Sequence, residues 1–120
     1  MGKTIDKFKA DRQRLNNLIL STRDKHLQRF FALDNSVYSG GVLPVKIKEL
    51  LGLVASMVLR CNDCISYHVD RCFAEGLTRA EFDEAMGIAL IVGGSICIPH
   101  VRVAYEIWDE LEKDKADRTV

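Results

Sequence analysis

Cys61-Asn62-Asp63-Cys64 places two thiols three residues apart, and His68 follows four residues after the second. Near a helix N-terminus, sulfurs at that spacing come close enough for a disulfide, while the free N–H groups and aligned peptide dipoles favour a thiolate. Cys64 and His68 stand at i and i+4 on one helix face, so the imidazole can take the thiol proton or hold the thiolate in an ion pair. The pattern is that of a nucleophile with its base. Arg60 adds positive potential if its side chain turns toward the motif rather than to water. Glu49 is the further polar residue of interest. If the chain folds back as a hairpin at residues 60–62, Glu49 lies opposite the middle or end of the following helix and reaches His68 more easily than Cys61. A carboxylate there would fix the imidazole tautomer and raise its basicity, giving a relay from Glu49 through His68 to Cys64. The competing reading makes Glu49 a solvated first-turn carboxylate beside Lys46 and Lys48.

Other chemistries share these residues. Cys61, Cys64, His68 and Cys72 spell C-x2-C-x3-H-x3-C, a zinc-like spacing. The stretch from Cys61 to Cys72 covers about 16 Å of helix, whereas tetrahedral ligands must meet within about 2.3 Å of one point, so one helix cannot supply all four. A partial site completed by His100 or by another subunit stays open, as does a structural role for the cysteines as small hydrophobes. Cys97, in an apolar run, reads as core. Cys72 shares the His68 face, with packing as its default role. His26 and His100 read as surface or capping residues.

The elements that must position this set are helical. Apolar residues recur at three- and four-residue spacing nearly throughout, and the 120 residues include only 2 Pro and 8 Gly. With 48% hydrophobic and 28% charged residues, the composition fits one compact domain over residues 1–120. Seventeen basic residues balance seventeen acidic ones, leaving no electrostatic footprint for nucleic acid and no polybasic case for a membrane surface. The most apolar stretch, residues 88–99, is broken by Gly93, Gly94 and Ser95 and falls short of the roughly 20 residues a membrane span needs. A charged N-terminus lacks a signal-peptide core, so the expected compartment is cytoplasmic.

About six helices are expected. The first carries an apolar stripe of Phe8, Leu15, Leu18 and Ile19 on the core; the second carries Leu27, Phe30, Phe31, Val37 and Tyr38 and stops at Ser39-Gly40-Gly41. Pro44 suits the first turn of a third helix, which runs to about Arg60. Residues 50–59 are apolar on all sides except Gly52 and Ser56, so this helix is expected at the centre or against another subunit. The fourth helix starts at Cys61 and ends at Gly76. Thr78-Arg79-Ala80-Glu81 fits a capping box, with Leu77 and Phe82 as its hydrophobic staple, and opens the fifth. The sixth presents Val101, Ala104, Tyr105, Trp108 and Leu111 on one face, with a polar tail from Lys113 that is expected to fray.

Pro44-x-x-x-Lys48-Glu49-Leu50, Cys61-x-x-Cys64-x-x-x-His68 and Ala74-x-Gly76-Leu77-Thr78-x-x-Glu81 together resemble the carboxymuconolactone decarboxylase family, in particular its alkylhydroperoxidase D-like branch. The resemblance covers about residues 44–89 and implies an all-helical fold, assembly into homotrimers or homohexamers, and thiol-dependent peroxidase or disulfide reductase activity. The implied functional set is Glu49, Cys61, Cys64 and His68, with no cofactor and no metal. The implied partners are a peroxide or disulfide substrate and a dithiol reductant. Asp63 stands where the best-known peroxidases of that branch carry a second histidine, and its charge opposes thiolate formation. The lactone decarboxylases lack the cysteine pair, which makes decarboxylation the lesser expectation. A non-enzymatic oligomeric binding protein with a structural or metal-bound Cys-x-x-Cys is the alternative. Within the redox reading, Cys64 is expected to attack and Cys61, more accessible at the helix start, to resolve; the reverse assignment is physically open.

Overall fold

The structure, a computed structural model, describes residues 3–119. Six α-helices follow in order: α1 (Lys3–Leu20), α2 (Lys25–Tyr38), α3 (Val45–Val58), α4 (Asn62–Ala74), α5 (Arg79–Gly93) and α6 (Ile98–Thr119), with a 3-10 turn (Ser95–Cys97) before α6. No strand occurs among the described residues. The all-α expectation and the helix count hold.

Local chemistry accounts for most boundaries. Pro44 is the N-cap of α3, one position earlier than expected, and its carbonyl accepts from Ile47 and Lys48. At the other end of α3, Arg60 adopts a left-handed φ of 61°; its N–H donates to Met57 O at 3.0 Å and that of Cys61 to Ser56 O at 3.1 Å. This is the Schellman closure that glycine usually makes, and it turns the chain back so that α4 packs on α3. Gly76, at φ 88°, ends α4 with the same pair of bonds. The capping box then starts α5: Thr78 Oγ1 accepts from Glu81 N at 3.1 Å, and Thr78 N donates to Glu81 Oε1 at 2.9 Å. Leu77 and Phe82 are both buried, as a staple requires.

The core lies where α3, α4, α5 and α6 meet. Trp108 stacks on Phe82 with ring centroids 4.5 Å apart and takes the edge of Phe73 at 5.0 Å. Leu53, Met57, Ile65, Val69, Met86 and Ile107 close around them, and Cys97 is fully buried there too. The sixth helix shows its expected face, but it does not fray at Lys113: it continues to Thr119, supported by the ion pairs Arg79–Glu112 and Lys113–Asp109. No described helix is long and apolar enough to cross a membrane.

The first two helices depart from their expected stripes. α1 is anchored by Ile5, which is 1% exposed, and by Phe8; Glu110 of α6 accepts the N–H groups of Thr4 and Ile5. Farther along, Leu15 and Leu18 face outward. α2 begins well, with Asp24 accepting from the N–H groups of His26 and Leu27, yet none of its residues is buried. Its periodicity is real, but Phe30 is 67% exposed, and only Phe31 and Tyr38 are half-buried. A correct helical period guarantees a helix with an apolar side, not that the same chain supplies the surface opposite.

Candidate active site

Cys61 is the N-cap of α4. Its Sγ accepts the N–H of Cys64 at 3.3 Å, the role usually taken by a Ser or Asp oxygen. The sulfurs of Cys61 and Cys64 lie at disulfide-bonding distance with Cα atoms 5.3 Å apart, inside the usual range for a bridge. Exposure runs opposite to expectation: Cys64 is exposed, whereas Cys61 is half-buried. The cause is the cap itself, which turns the Cys61 sulfur inward over the first turn while Cys64 faces a cleft. Asn62, between them, holds His100 Nδ1 at 2.7 Å through its Oδ1, so His100 serves as a tether to α6.

One turn below, His68 is buried and its Nδ1 lies 2.8 Å from Glu49 Oε1. Glu49 is only 2% exposed, which overturns the reading of a solvated first-turn carboxylate. The α3–α4 hairpin thus delivers Glu49 to His68. Arg71 Nε approaches the other carboxylate oxygen at 4.0 Å while its Nη2 holds Glu75 at 3.1 Å. A carboxylate this enclosed fixes the Nδ1–H tautomer and leaves Nε2 with a free lone pair. That nitrogen faces Tyr38 Oη at 3.4 Å, so the second link of the expected relay, from His68 to Cys64, is not in place. His68 and Cys64 nevertheless line one cleft of about 540 Å³ together with Arg12, Asp34, Asp63 and Tyr67. Arg12 lies over the Tyr67 ring, 4.1 Å from its centroid, and Tyr67 meets His68 edge-on.

Several of these residues carry no chemical motif in the sequence. Tyr38 was legible only as the last member of an apolar stripe. Gly52 stood out as a small residue in an apolar helix, and its reason is steric: a Cβ there would lie 2.6 Å from Tyr38 Oη and 2.8 Å from His68 Cε1. Lys48 Nζ reaches back to the carbonyls of Val37 and Ser39, at 2.7 Å each, and so grips the end of α2 on both sides of Tyr38. Burial, followed by the Glu49 charge, raises the Tyr38 and Tyr67 hydroxyls above the usual phenol range, keeping both protonated near neutrality. The same two causes, burial first, push the Cys72 thiol up to about 12. Cys72 is a buried core residue with no exposure, and among the described residues no three His, Cys, Asp or Glu side chains converge as a metal site. His26 lies exposed beside Asp24 at the start of α2, as a surface residue.

Comparison with known proteins agrees with this architecture. Two crystal structures of a Thermotoga maritima protein superpose with TM-scores of 0.90 and 0.89 at 51% and 49% identity, covering 92% and 95% of this chain and 97% of that one in each case. That relative is a carboxymuconolactone decarboxylase family protein for which a part in an antioxidative response has been suggested. An apo Legionella pneumophila protein of the same family shares the fold at 23% identity, with a TM-score of 0.76 over 92% of this chain and 96% of that one. The family model for carboxymuconolactone decarboxylases matches residues 24–110, a span that includes α2 and the whole α3–α4 hairpin. The chain therefore belongs to the carboxymuconolactone decarboxylase family.

Proposed function

We propose that the protein is a thiol-dependent peroxidase or disulfide oxidoreductase that cycles its Cys61/Cys64 pair. The observation that carries this reading is the pair at disulfide distance on the first turn of α4, one turn from the buried Glu49–His68 contact. In the reduced protein the Cys64 thiolate attacks a peroxide oxygen; the O–O bond breaks, the alcohol or water leaves with a proton, and Cys64 becomes a sulfenic acid. Cys61 then attacks that sulfur, water leaves, and the disulfide forms. With a disulfide substrate, Cys64 forms a mixed disulfide and releases one thiolate, and Cys61 displaces the second. An external dithiol returns two electrons and two protons. The exposure of Cys64 and the recessed position of Cys61 support this division of labour. His68 receives the Cys64 proton and Glu49 stabilises the resulting imidazolium, while Asp63 beside Cys64 works against the thiolate. The suggested antioxidative role of the Thermotoga maritima relative points the same way.

The assembly belongs to the same proposal. Ile88, Ile91 and Val92 on α5, with Leu51 on α3 and Leu59 at its C-cap, stay exposed, which supports a homotrimer or homohexamer that covers them. The peroxide and the reductant are then met in solution, in the cytoplasm. The deciding experiment is consumption of hydrogen peroxide and of an alkyl hydroperoxide by the purified protein with several dithiol reductants in turn. Turnover that disappears in Cys64→Ser supports the proposal. Absence of turnover with every reductant, together with no oxidation of the thiols by peroxide or by a small disulfide, removes it in favour of a structural Cys-x-x-Cys.

A further inference from the structure

We infer that Tyr38 is a positioning residue that holds His68 in a resting state by occupying the one ring nitrogen able to accept the Cys64 proton. The inference rests on the redox reading above. With Nδ1–H committed to Glu49 at 2.8 Å, the lone pair of neutral His68 is on Nε2, and Tyr38 Oη stands 3.4 Å from it. Burial and the Glu49 charge keep the Tyr38 hydroxyl protonated, so it is a donor to Nε2 throughout the neutral range. A hydrogen bond to the neutral form of a base disfavours its protonation. Tyr38 thus competes with the thiol for the imidazole.

This contact is built rather than incidental. Tyr38 is the last residue of α2, a helix with no buried residue of its own, so packing alone holds it weakly. Lys48 supplies the hold by binding the carbonyls of Val37 and Ser39 on either side of it. Gly52, one turn further along α3, leaves the space that the hydroxyl and the imidazole fill. Lys48, Glu49 and Gly52 therefore set all three parts of the arrangement from one stretch of helix. Tyr38 lines a second cavity with Glu49 and Arg71, which shares Asp34 and Tyr67 with the cleft that holds Cys64. The charged and titratable groups around the pair are Asp11 and Arg12 from α1, Asp34 from α2, Lys48 and Glu49 from α3, and Asp63, Cys64, Tyr67, Arg71 and Cys72 from α4.

The test is iodoacetamide alkylation of the fully reduced protein across pH 5–9, with the modified cysteine located by peptide mass spectrometry. Tyr38→Phe removes only the hydroxyl, and Lys48→Met frees the end of α2 while keeping the tyrosine. Both are expected to alkylate Cys64 faster at neutral pH, by between about twofold and tenfold, the factor that one neutral hydrogen bond represents, and to move the profile toward lower pH. A slower rate in both variants would make Tyr38 a proton conduit, and an unchanged profile would make it packing; either result overturns the inference. Nitrogen-15 spectra of the His68 ring provide a readout independent of thiol chemistry: in Tyr38→Phe the Nε2 signal moves while Nδ1 stays, and an unmoved Nε2 signal refutes the contact. If Nε2 moves but the parent protein shows no oxidisable thiol, the redox proposal fails while the contact to His68 stands.

Discussion

Adding one methyl group at Gly52 tests how tightly α3 is fitted to the site. An alanine in a helix interior is ordinarily favoured over glycine by about 0.8–1 kcal/mol. At Gly52 the new Cβ would stand 2.6 Å from Tyr38 Oη, 2.8 Å from His68 Cε1 and 3.0 Å from His68 Nε2, so both rings must move. Neither is free to do so cheaply, because Lys48 holds the tyrosine's helix end and Glu49 holds the imidazole. Overpacking of this kind costs about 1–3 kcal/mol, which leaves Gly52→Ala destabilised by up to about 2 kcal/mol after the propensity gain. Gly87 is the internal control. It lies in α5 with nothing within 4 Å of its virtual Cβ, so Gly87→Ala is expected to gain the full helix propensity of about 0.8–1 kcal/mol. Urea denaturation of the two variants should therefore give changes of opposite sign. Placing Gly52→Ala in a Tyr38→Phe background removes the nearest contact and should recover about 1 kcal/mol of coupling. Equal stabilisation at both glycines, or a Gly52→Ala cost unchanged by Tyr38→Phe, would show that the approach to α3 is not tight.

Glu49→Gln should keep the fold, since an amide oxygen can still accept from His68 Nδ1. It should slow Cys64 alkylation near neutral pH by about fivefold, the difference of roughly 1 kcal/mol between a charged and a neutral acceptor; an unchanged rate would reduce Glu49 to a packing residue. After one equivalent of peroxide, mass spectrometry should find a sulfenic acid on Cys64 in Cys61→Ser and none on Cys61 in Cys64→Ser, and the opposite pattern reverses the assignment of attack and resolution. Native-state labelling at pH 8 should leave Cys72 untouched, because its thiol titrates near 12; its contribution to stability is complete below the unfolded value of 9.0 and declines as pH rises from there through 12, which alkaline melts of Cys72→Ser and parent would reveal by converging. Light scattering at micromolar concentration should show an assembly larger than one chain, and a monodisperse monomer would remove the proposed trimer or hexamer.

What the sequence made legible was local chemistry. The capping box at Thr78 and Glu81, the glycine stop at Gly76 and the turn-back between α3 and α4 are each specified by a few neighbouring residues, and each formed as read. That turn was enough to bring Glu49 to His68. The less legible features depend on where one helix lies on another. The stripe of α2 could not announce that it would face outward, nor that Tyr38 would leave the stripe to meet His68. Gly52 looked like an interruption until two rings were seen to fill the gap. The exposure of Cys61 and Cys64 was misjudged because the fold uses a sulfur as a helix cap, a job for which cysteine is a rare choice and which draws Cys61 inward.

The α3–α4 hairpin has a consequence for how the protein can change over time. Lys48, Glu49, Gly52, Cys61, Cys64 and His68 all lie on it, so the residues of the proposed acid–base and sulfur chemistry form one contiguous stretch of 21 residues, from 48 to 68. The facing wall of the cleft is supplied by Phe8, Arg12 and Leu15 of α1 and Asp34 of α2, outside that stretch. The thiols and the imidazole are thereby encoded in one segment, and the cleft's facing wall, together with Tyr38, in another. Drift in α1 can therefore reshape the cleft while the contacts within the hairpin are kept, whereas a change at Tyr38 of α2 reaches His68 directly.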